Sequence, residues 1–255
     1  MPLSAAVLWI DALLEPYPLG EAMFAAVMLY LALGWQSLLQ HAQAVQHALE
    51  NDTIGAAREA VQRMVSRDAS EADAEGIAGA AVESVLENGA DAIFSALFWY
   101  LLAGAPGVVA YRLCNTLDAM WGYRNPRFLR FGCWAARVDD LLNLVPARLT
   151  ALSYALAGST LSALRCWKAQ GGGWKSPNAG PVMAAGAGAM EVTLGGRACY
   201  QGQWQQRPLL GVTASMASRP SADTIAGACA LVNRALLIWV LVILLGVLFS
   251  GVNLG

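Results

Sequence analysis

Four stretches of nearly unbroken apolar residues punctuate the chain, with mixed-polarity segments and one strongly polar island between them. The clearest is the tail, residues 236–254, at the length of about 20 apolar residues that crosses a bilayer core. A second runs from Ala22 to Leu39 and continues into a more polar helical stretch ending near Glu50. The third, Ala92 to Leu113, carries Gly104-Ala-Pro106-Gly107 at its centre. Each half is too short to span alone, so this segment is one kinked helix or a re-entrant hairpin. The fourth, Ala147 to Ala163, has Arg148 at its entry and Gly158-Ser159 inside, and either spans or forms a buried helix. Between the second and third, Asn51 to Met64 reads as one amphipathic helix. Ser70-Glu-Ala-Asp73 then resembles a capping signature opening a helix to about Asp91. Residues 165–234 read as a loop-rich region with no alternation long enough for a sheet and no internal repeat. The pattern predicts an all-α, polytopic integral membrane protein. Amphipathic and re-entrant or kinked helices, with loop-rich polar segments, make up a single membrane-embedded domain over residues 1–255.

Composition agrees: 57% of the residues are hydrophobic, 13% are charged, and the mean hydropathy is +0.46. Soluble domains carry about 25% charged residues, so this chain has too few to cover an ordinary water-facing surface. The net charge of −2 gives no basis for a nucleic-acid partner. The five cysteines are scattered singly, which argues against a zinc, iron–sulfur or disulfide framework. His41 and His47 read as solvated helix residues. Residues 1–20 lack the basic start of a cleavable leader and carry Asp11 and Glu15. Every Lys and Arg lies between Arg58 and Arg234, which favours both termini outside and the intervening loops in the cytoplasm. A cytoplasmic site then requires that the two middle segments do not both cross simply.

The polar island, Asn115 to Arg148 within the 114–146 motif region and its exit, carries five arginines, three aspartates, three asparagines and no lysine. Arginine's planar fork matches carboxylate and phosphate, and aspartates among such arginines are salt-bridge partners or ligands for a hard cation such as Mg²⁺. Asn115/Asp118, Arg137/Asp140 and Asp139/Asn143 fall at helical spacings. They are structural ion pairs or, as ionisable groups at membrane depth often are, a functional site. Upstream, Glu83, Glu87 and Asp91 are spaced four apart, with Asn88 beside them. Like charges at that spacing repel, so the face is a Mg²⁺ or ammonium site or a solvated acidic surface. Arg67-Asp68 reads as a local salt bridge or cap. Gly171-Gly-Gly-Trp-Lys175-Ser176 fails the phosphate-loop pattern, because Trp174 stands where glycine is required. Ser176-Pro-Asn178-Ala-Gly180 is a turn by its chemistry.

Glu87-Asn88-x-x-Asp91, Asn115-Thr-Leu-Asp118-Ala-Met-Trp121-Gly122-Tyr123-Arg124, Ala136-Arg137-Val-Asp139-Asp140-Leu-Leu-Asn143-x-x-Pro146-Ala-Arg148 and Ser176-Pro-Asn178-Ala-Gly180 together closely resemble the CobD/CbiB family. Its members are integral-membrane adenosylcobinamide-phosphate synthases of cobalamin biosynthesis. The resemblance covers roughly Leu29 to Leu210. Arg67-Asp68, Leu194-Gly-Gly196 and Arg207-Pro208 also fall where the family has them. It implies an ATP-dependent amide ligase that joins a carboxylate of adenosylcobyric acid to the amine of (R)-1-aminopropan-2-ol phosphate or of free aminopropanol. ATP and Mg²⁺ are then required, a corrinoid is the substrate, and the enzyme sits in the inner, cytoplasmic membrane with its site facing the cytoplasm. A second copy or other membrane enzymes of the pathway are expected partners. On this reading Asp118, Arg124, Arg137, Asp139 and Asp140 form the catalytic set. Glu83, Glu87, Asp91, Asp118 and Asp140 are candidate metal ligands. Arg67, Asp68, Asn88, Asn115, Trp121, Tyr123, Asn143, Arg148, Ser176 and Asn178 bind substrate. Where many relatives follow the Ser-Pro-Asn-Ala-Gly motif with Trp-Pro-Glu, this chain has Pro181-Val182-Met183. Relatives also usually begin with a further hydrophobic segment. The competing reading is a non-catalytic membrane sensor related to AmpE, which would have no need of so many buried Asp and Arg.

Overall fold

The computed structural model describes residues 2–121, 129–200, 202–213 and 217–252. It is helical apart from one hairpin, and it divides into two compact units: residues 1–36 with 90–147, and residues 37–89 with 148–255. Among the described residues, three helical stretches, Pro18–Asn51, Ala74–Trp121 and Ala222–Phe249, are by length and composition long and apolar enough to cross a membrane.

The first unit contains α1 (Pro2–Leu14), α2 (Pro18–Ala32), a π-helical turn (Ala90–Phe94), α6 (Ser95–Trp121) and α7 (Leu129–Leu142). Pro18 opens α2, where its missing N–H costs no helical bond. α6 is broken at Ala103 and at Gly104, whose φ of +60° suits glycine and few other residues. A Cβ on Gly107 would lie 2.5 Å from the Trp99 carbonyl oxygen. Eight residues of straight helix advance about 12 Å, so the backbone turns back at Gly104 instead of running on as one straight helix. Ala32, Ala96, Val108 and Tyr111 form the buried centre, flanked by Leu29, Trp99 and Leu142. The Trp99 indole donates to the Leu142 carbonyl at 3.1 Å.

The second unit contains most of α3 (Trp35–Asn51), α4 (Ile54–Gln62), α5 (Ala74–Gly89), most of α8 (Leu144–Ala157), α9 (Thr160–Gln170), α10 (Ala179–Met190), strands β1 (Thr193–Tyr200) and β2 (Gln203–Gly211), and α11 (Ala222–Val252). Its centre is α10, where every residue from Ala179 to Ala189 is buried. The sequence Ala-Gly-Pro-Val-Met-Ala-Ala-Gly-Ala-Gly-Ala has no polar face, and a helix apolar all round is a buried one. Its glycines let neighbours approach closely: a Cβ on Gly186 or Gly188 would strike Leu86 or the Ala163 backbone. The Tyr154 hydroxyl donates to the Leu86 carbonyl at 3.0 Å, tying α8 to α5.

Several expectations are corrected here. The 165–234 stretch is not mainly loop, because α9, α10, the hairpin and the start of α11 fill most of it. The hairpin itself was not expected: β1 and β2 pair antiparallel from Thr193↔Gly211 to Tyr200↔Gln203, with a bulge at Gly195/Gly196. That bulge, together with Pro208 in β2, hides any period of two. α5 starts four residues after Ser70; Asp73 accepts the Gly76 N–H at 2.8 Å and caps the helix. The predicted Asn51–Met64 helix is α4 alone, capped by Thr53. The tail helix begins at Ala222, well before residue 236. Its first half buries Ile225, Ala228, Leu231, Val232 and Ala235, while Leu237 to Phe249 is largely exposed apolar surface suited to lipid.

Candidate active site

The island's polar side chains in the first unit meet around Asp139. Asn115 on α6 donates to Asp139 Oδ1 at 3.2 Å, and Asn143 donates to Oδ2 at 3.0 Å. Asn143 is itself buried, and its Oδ1 accepts from the Ser95 hydroxyl at 2.7 Å and the Tyr111 hydroxyl at 3.0 Å. Tyr111 also lies 3.0 Å from the Asp91 carbonyl, and Arg112 donates to Asn115 Oδ1 at 3.2 Å. These bonds fix the amide orientations, so Asp139 is held from two sides. Burial nevertheless pushes its carboxyl above the ordinary value. The two amide donors pull it down, and neighbouring Asp140 pushes it further up. Asp118, one turn beyond Asn115, lies within electrostatic range of Asp139 and Asp140. All three aspartates are half-buried, and Arg137 is exposed with its guanidinium 5.9 Å from the centre of the Trp134 ring. Trp121 ends α6 half-buried, while Tyr123 and Arg124 lie outside the described residues.

Ser95, Tyr111 and Arg112 were not singled out from sequence. The available signal was a Tyr-Arg pair inside an apolar run, which calls for partners. Among the described residues, no three His, Cys, Asp or Glu side chains form a ready-made metal cage. The donor set around Asp118 and Asp140 still fits Mg²⁺, which usually takes one or two carboxylates and completes its shell with substrate phosphates and water.

In the second unit the expected acidic face of α5 has a different use. Glu83 is buried and carries a salt bridge to Arg67 at 2.9 Å and another to Arg207 at 2.8 Å. A second Arg207 nitrogen donates to Glu83 Oε1 at 3.1 Å, and the Gly195 N–H donates to the same oxygen at 2.8 Å. Both carboxylate oxygens are thus saturated, which removes Glu83 from the metal candidates. Glu87, one turn along α5, has an exposed surface and lies within electrostatic range of Glu83, Arg67 and Arg207, while Asp91 sits in the π-helical turn of the first unit. Arg67 pairs with Glu83 and not with Asp68. The Asp68 carboxylate accepts the Ser70 N–H at 2.9 Å, and that bond holds its pKa low. Arg207 also rests over the Trp174 ring at 5.4 Å. Burial lowers its proton affinity, but Glu83 more than restores it. Asn88 is exposed and donates back to Ser84 at 2.9 Å.

The Ser176–Gly180 motif is the start of α10 and not an isolated turn. The Ser176 hydroxyl accepts the Asn178 N–H at 3.2 Å and the Ala179 N–H at 3.3 Å. Arg148 clamps the motif by donating to Asn178 Oδ1 at 2.6 Å and to the Pro177 carbonyl at 3.0 Å. A cavity of about 550 Å³ opens above the Glu83 cluster, between α5, the hairpin and residues 217–220. A smaller one of about 290 Å³ shares Arg67 and Arg197 with it.

The family described as CobD/Cbib protein matches residues 1–232. The chain belongs to the CobD/CbiB family. The cobalamin biosynthesis protein CobD of Chromobacterium violaceum is 53% identical over 234 residues, covering 92% of this chain and 74% of that relative. The protein of the same name from Stutzerimonas stutzeri is 60% identical over 220 residues, covering 86% and 71%. That from Mycobacterium tuberculosis is 44% identical over 191 residues, covering 73% and 61%. No solved structure matches. Membership places this chain among the membrane proteins of cobalamin biosynthesis. In this CobD/CbiB chain the family motifs become two polar clusters, one in each unit.

Proposed function

We propose that the chain is an ATP-dependent ligase. It joins a carboxylate of adenosylcobyric acid to the amine of (R)-1-aminopropan-2-ol phosphate, or of free aminopropanol, at the cytoplasmic face of the inner membrane. The observation that carries this reading is the Asp139 network. In a unit otherwise built of apolar helices, Asn115, Asn143, Ser95 and Tyr111 are spent on holding one carboxylate beside two others. Such a network costs burial of polar groups, and a passive scaffold has no use for it.

A carboxylate is a poor acyl donor until phosphorylated. Its oxygen attacks the γ-phosphorus of ATP, the bond to ADP breaks, and an acyl phosphate results. The amine lone pair then attacks the acyl carbon, phosphate leaves with the C–O bonding pair, and the nitrogen loses a proton to give the amide. Both steps gain from positioning and from cationic stabilisation of spreading charge. Asp118 and Asp140 would hold Mg²⁺, which neutralises phosphate charge. Asp139, oriented by Asn115 and Asn143, sets the geometry of that carboxylate group, and the exposed Arg137 on α7 is placed to take a phosphate or the substrate carboxylate. Asp140→Asn or Asp118→Asn should lower turnover by orders of magnitude while leaving the protein folded. Full activity in both variants would take the aspartates out of the site.

A further inference from the structure

In the arginine cluster beneath the larger cavity of the second unit, a single carboxylate is salt-bridged to both guanidiniums. One carboxylate, Glu83, serves two guanidiniums, and the side chains of Glu83, Arg67 and Arg207 are 8%, 11% and 10% exposed. Glu87, one turn along α5, lies within electrostatic range of both guanidiniums but forms no salt bridge with either among the described residues, so a further anion still finds donors to bind. Arg207 is fully occupied, bonding Glu83 and the Gly195 and Gly196 carbonyls while resting on Trp174. Arg67 is not: it gives Glu83 its Nη2 at 2.9 Å. No buried side-chain nitrogen or oxygen among the described residues lacks a partner, so the other Arg67 nitrogens open to the cavity it lines.

Arg197 and Arg219 line the same space. Arg197 lies 4.4 Å from the centre of the Trp204 ring, and no carboxylate among the described residues is paired to it. The acidic residues at the cavity are otherwise engaged: Asp73 caps α5, and Glu75 lies 3.6 Å from Arg219 at the exposed rim. Gly76, Gly79 and Ala80 give α5 a wall of small side chains, which keeps the volume open. That volume, about 550 Å³, suits a nucleotide or a small phosphate ester and is too small for a whole corrinoid.

We infer that this cavity is a phosphate-recognition pocket, with Arg67 and Arg197 as the anion-binding side chains and the Glu83–Arg207 pair as the positioning group behind Arg67. A guanidinium held by a carboxylate on one edge presents its remaining donors in a fixed fork, the geometry that phosphate oxygens match. The inference rests on the ligase reading only for the identity of the phosphate, which belongs to ATP or to the phosphorylated amino alcohol.

The test is equilibrium binding to the full-length protein in detergent by calorimetry. The probes are ATP, aminopropanol phosphate and, as the phosphate-free control, adenosylcobyric acid. Arg67→Ala leaves a balanced Glu83–Arg207 pair, so the fold is retained, and Arg197→Ala removes a guanidinium with no buried partner. Each variant should weaken one phosphate-bearing probe about tenfold to a hundredfold, the loss expected for a charged hydrogen bond, and leave the corrinoid unchanged. Loss confined to ATP supports the pocket and assigns it to the nucleotide, and loss confined to aminopropanol phosphate supports it and assigns it to the amine. Wild-type affinity for both phosphates in both variants, or a loss for the corrinoid alone, would overturn it. Because binding is read without turnover, failure here leaves the ligase reading intact, and absence of turnover leaves this one intact.

Discussion

The asymmetry of the Glu83 cluster makes a quantitative prediction about stability. Glu83→Ala leaves two largely buried guanidiniums without their salt-bridge partner, and it strips the Gly195 N–H of its acceptor. Removing one partner of a buried ion pair costs about 3–5 kcal/mol. Arg67→Ala, by contrast, leaves Glu83 with Arg207 and two hydrogen bonds between them, at 2.8 and 3.1 Å. That loss should resemble the removal of a partly screened pair, about 1 kcal/mol or less. For a chain of this size, 1 kcal/mol moves the melting temperature by about 2–4 °C. Glu83→Ala should therefore melt about 6–20 °C lower and Arg67→Ala no more than about 4 °C lower. Tryptophan fluorescence during thermal unfolding in detergent is a suitable readout, since Trp174 sits against Arg207. Equal losses in the two variants, or a Glu83→Ala protein as stable as the parent, would refute the claim that Glu83 is the shared salt-bridge partner that holds both arginines in place.

Two further outcomes follow from the packing and the charges. A Cβ at Gly180 would run into the Gly171 carbonyl and come within 2.9 Å of Trp174 Cβ, so Gly180→Ala should cost about 1–3 kcal/mol through overpacking, read as a lower melting temperature. Because burial raises the Asp139 carboxyl above its ordinary value, the folded state holds that proton more tightly than the unfolded one. Stability from this group is complete below the unfolded pKa and is lost as pH rises through the folded pKa. Melting curves of wild type and Asp139→Asn across that window should therefore shift in favour of the variant as pH increases; a constant difference would contradict the assignment.

The membrane segments were legible because hydropathy is a local property of the sequence. The break in the 92–113 segment was legible because Gly104 and Pro106 act on their own backbone. The Asp139 network was partly legible for a similar reason: Asp139 and Asn143 are one helical turn apart, and polar side chains between apolar segments need partners. What could not be read was long-range pairing. Arg207 reaches Glu83 across 124 positions, and no spacing rule encodes that distance. Glu83 therefore looked like one rung of an acidic ladder, when it is the counter-ion of two arginines. α10 was hidden for another reason. Its glycines and Pro181 imitate a loop, and only packing on all sides makes a helix of them. The hairpin was obscured by its own bulge and by Pro208, which erase the alternation that marks a strand.

The central claim is ligation, and the most direct measurement is product formation by the purified chain in detergent or nanodiscs. ATP, Mg²⁺ and adenosylcobyric acid would be supplied with aminopropanol phosphate or, in parallel, with free aminopropanol. The expected result is a corrinoid amide detected by mass spectrometry, formed with matching ADP release, and abolished by omitting ATP. A folded protein that binds the corrinoid yet forms no amide with either amine would contradict it.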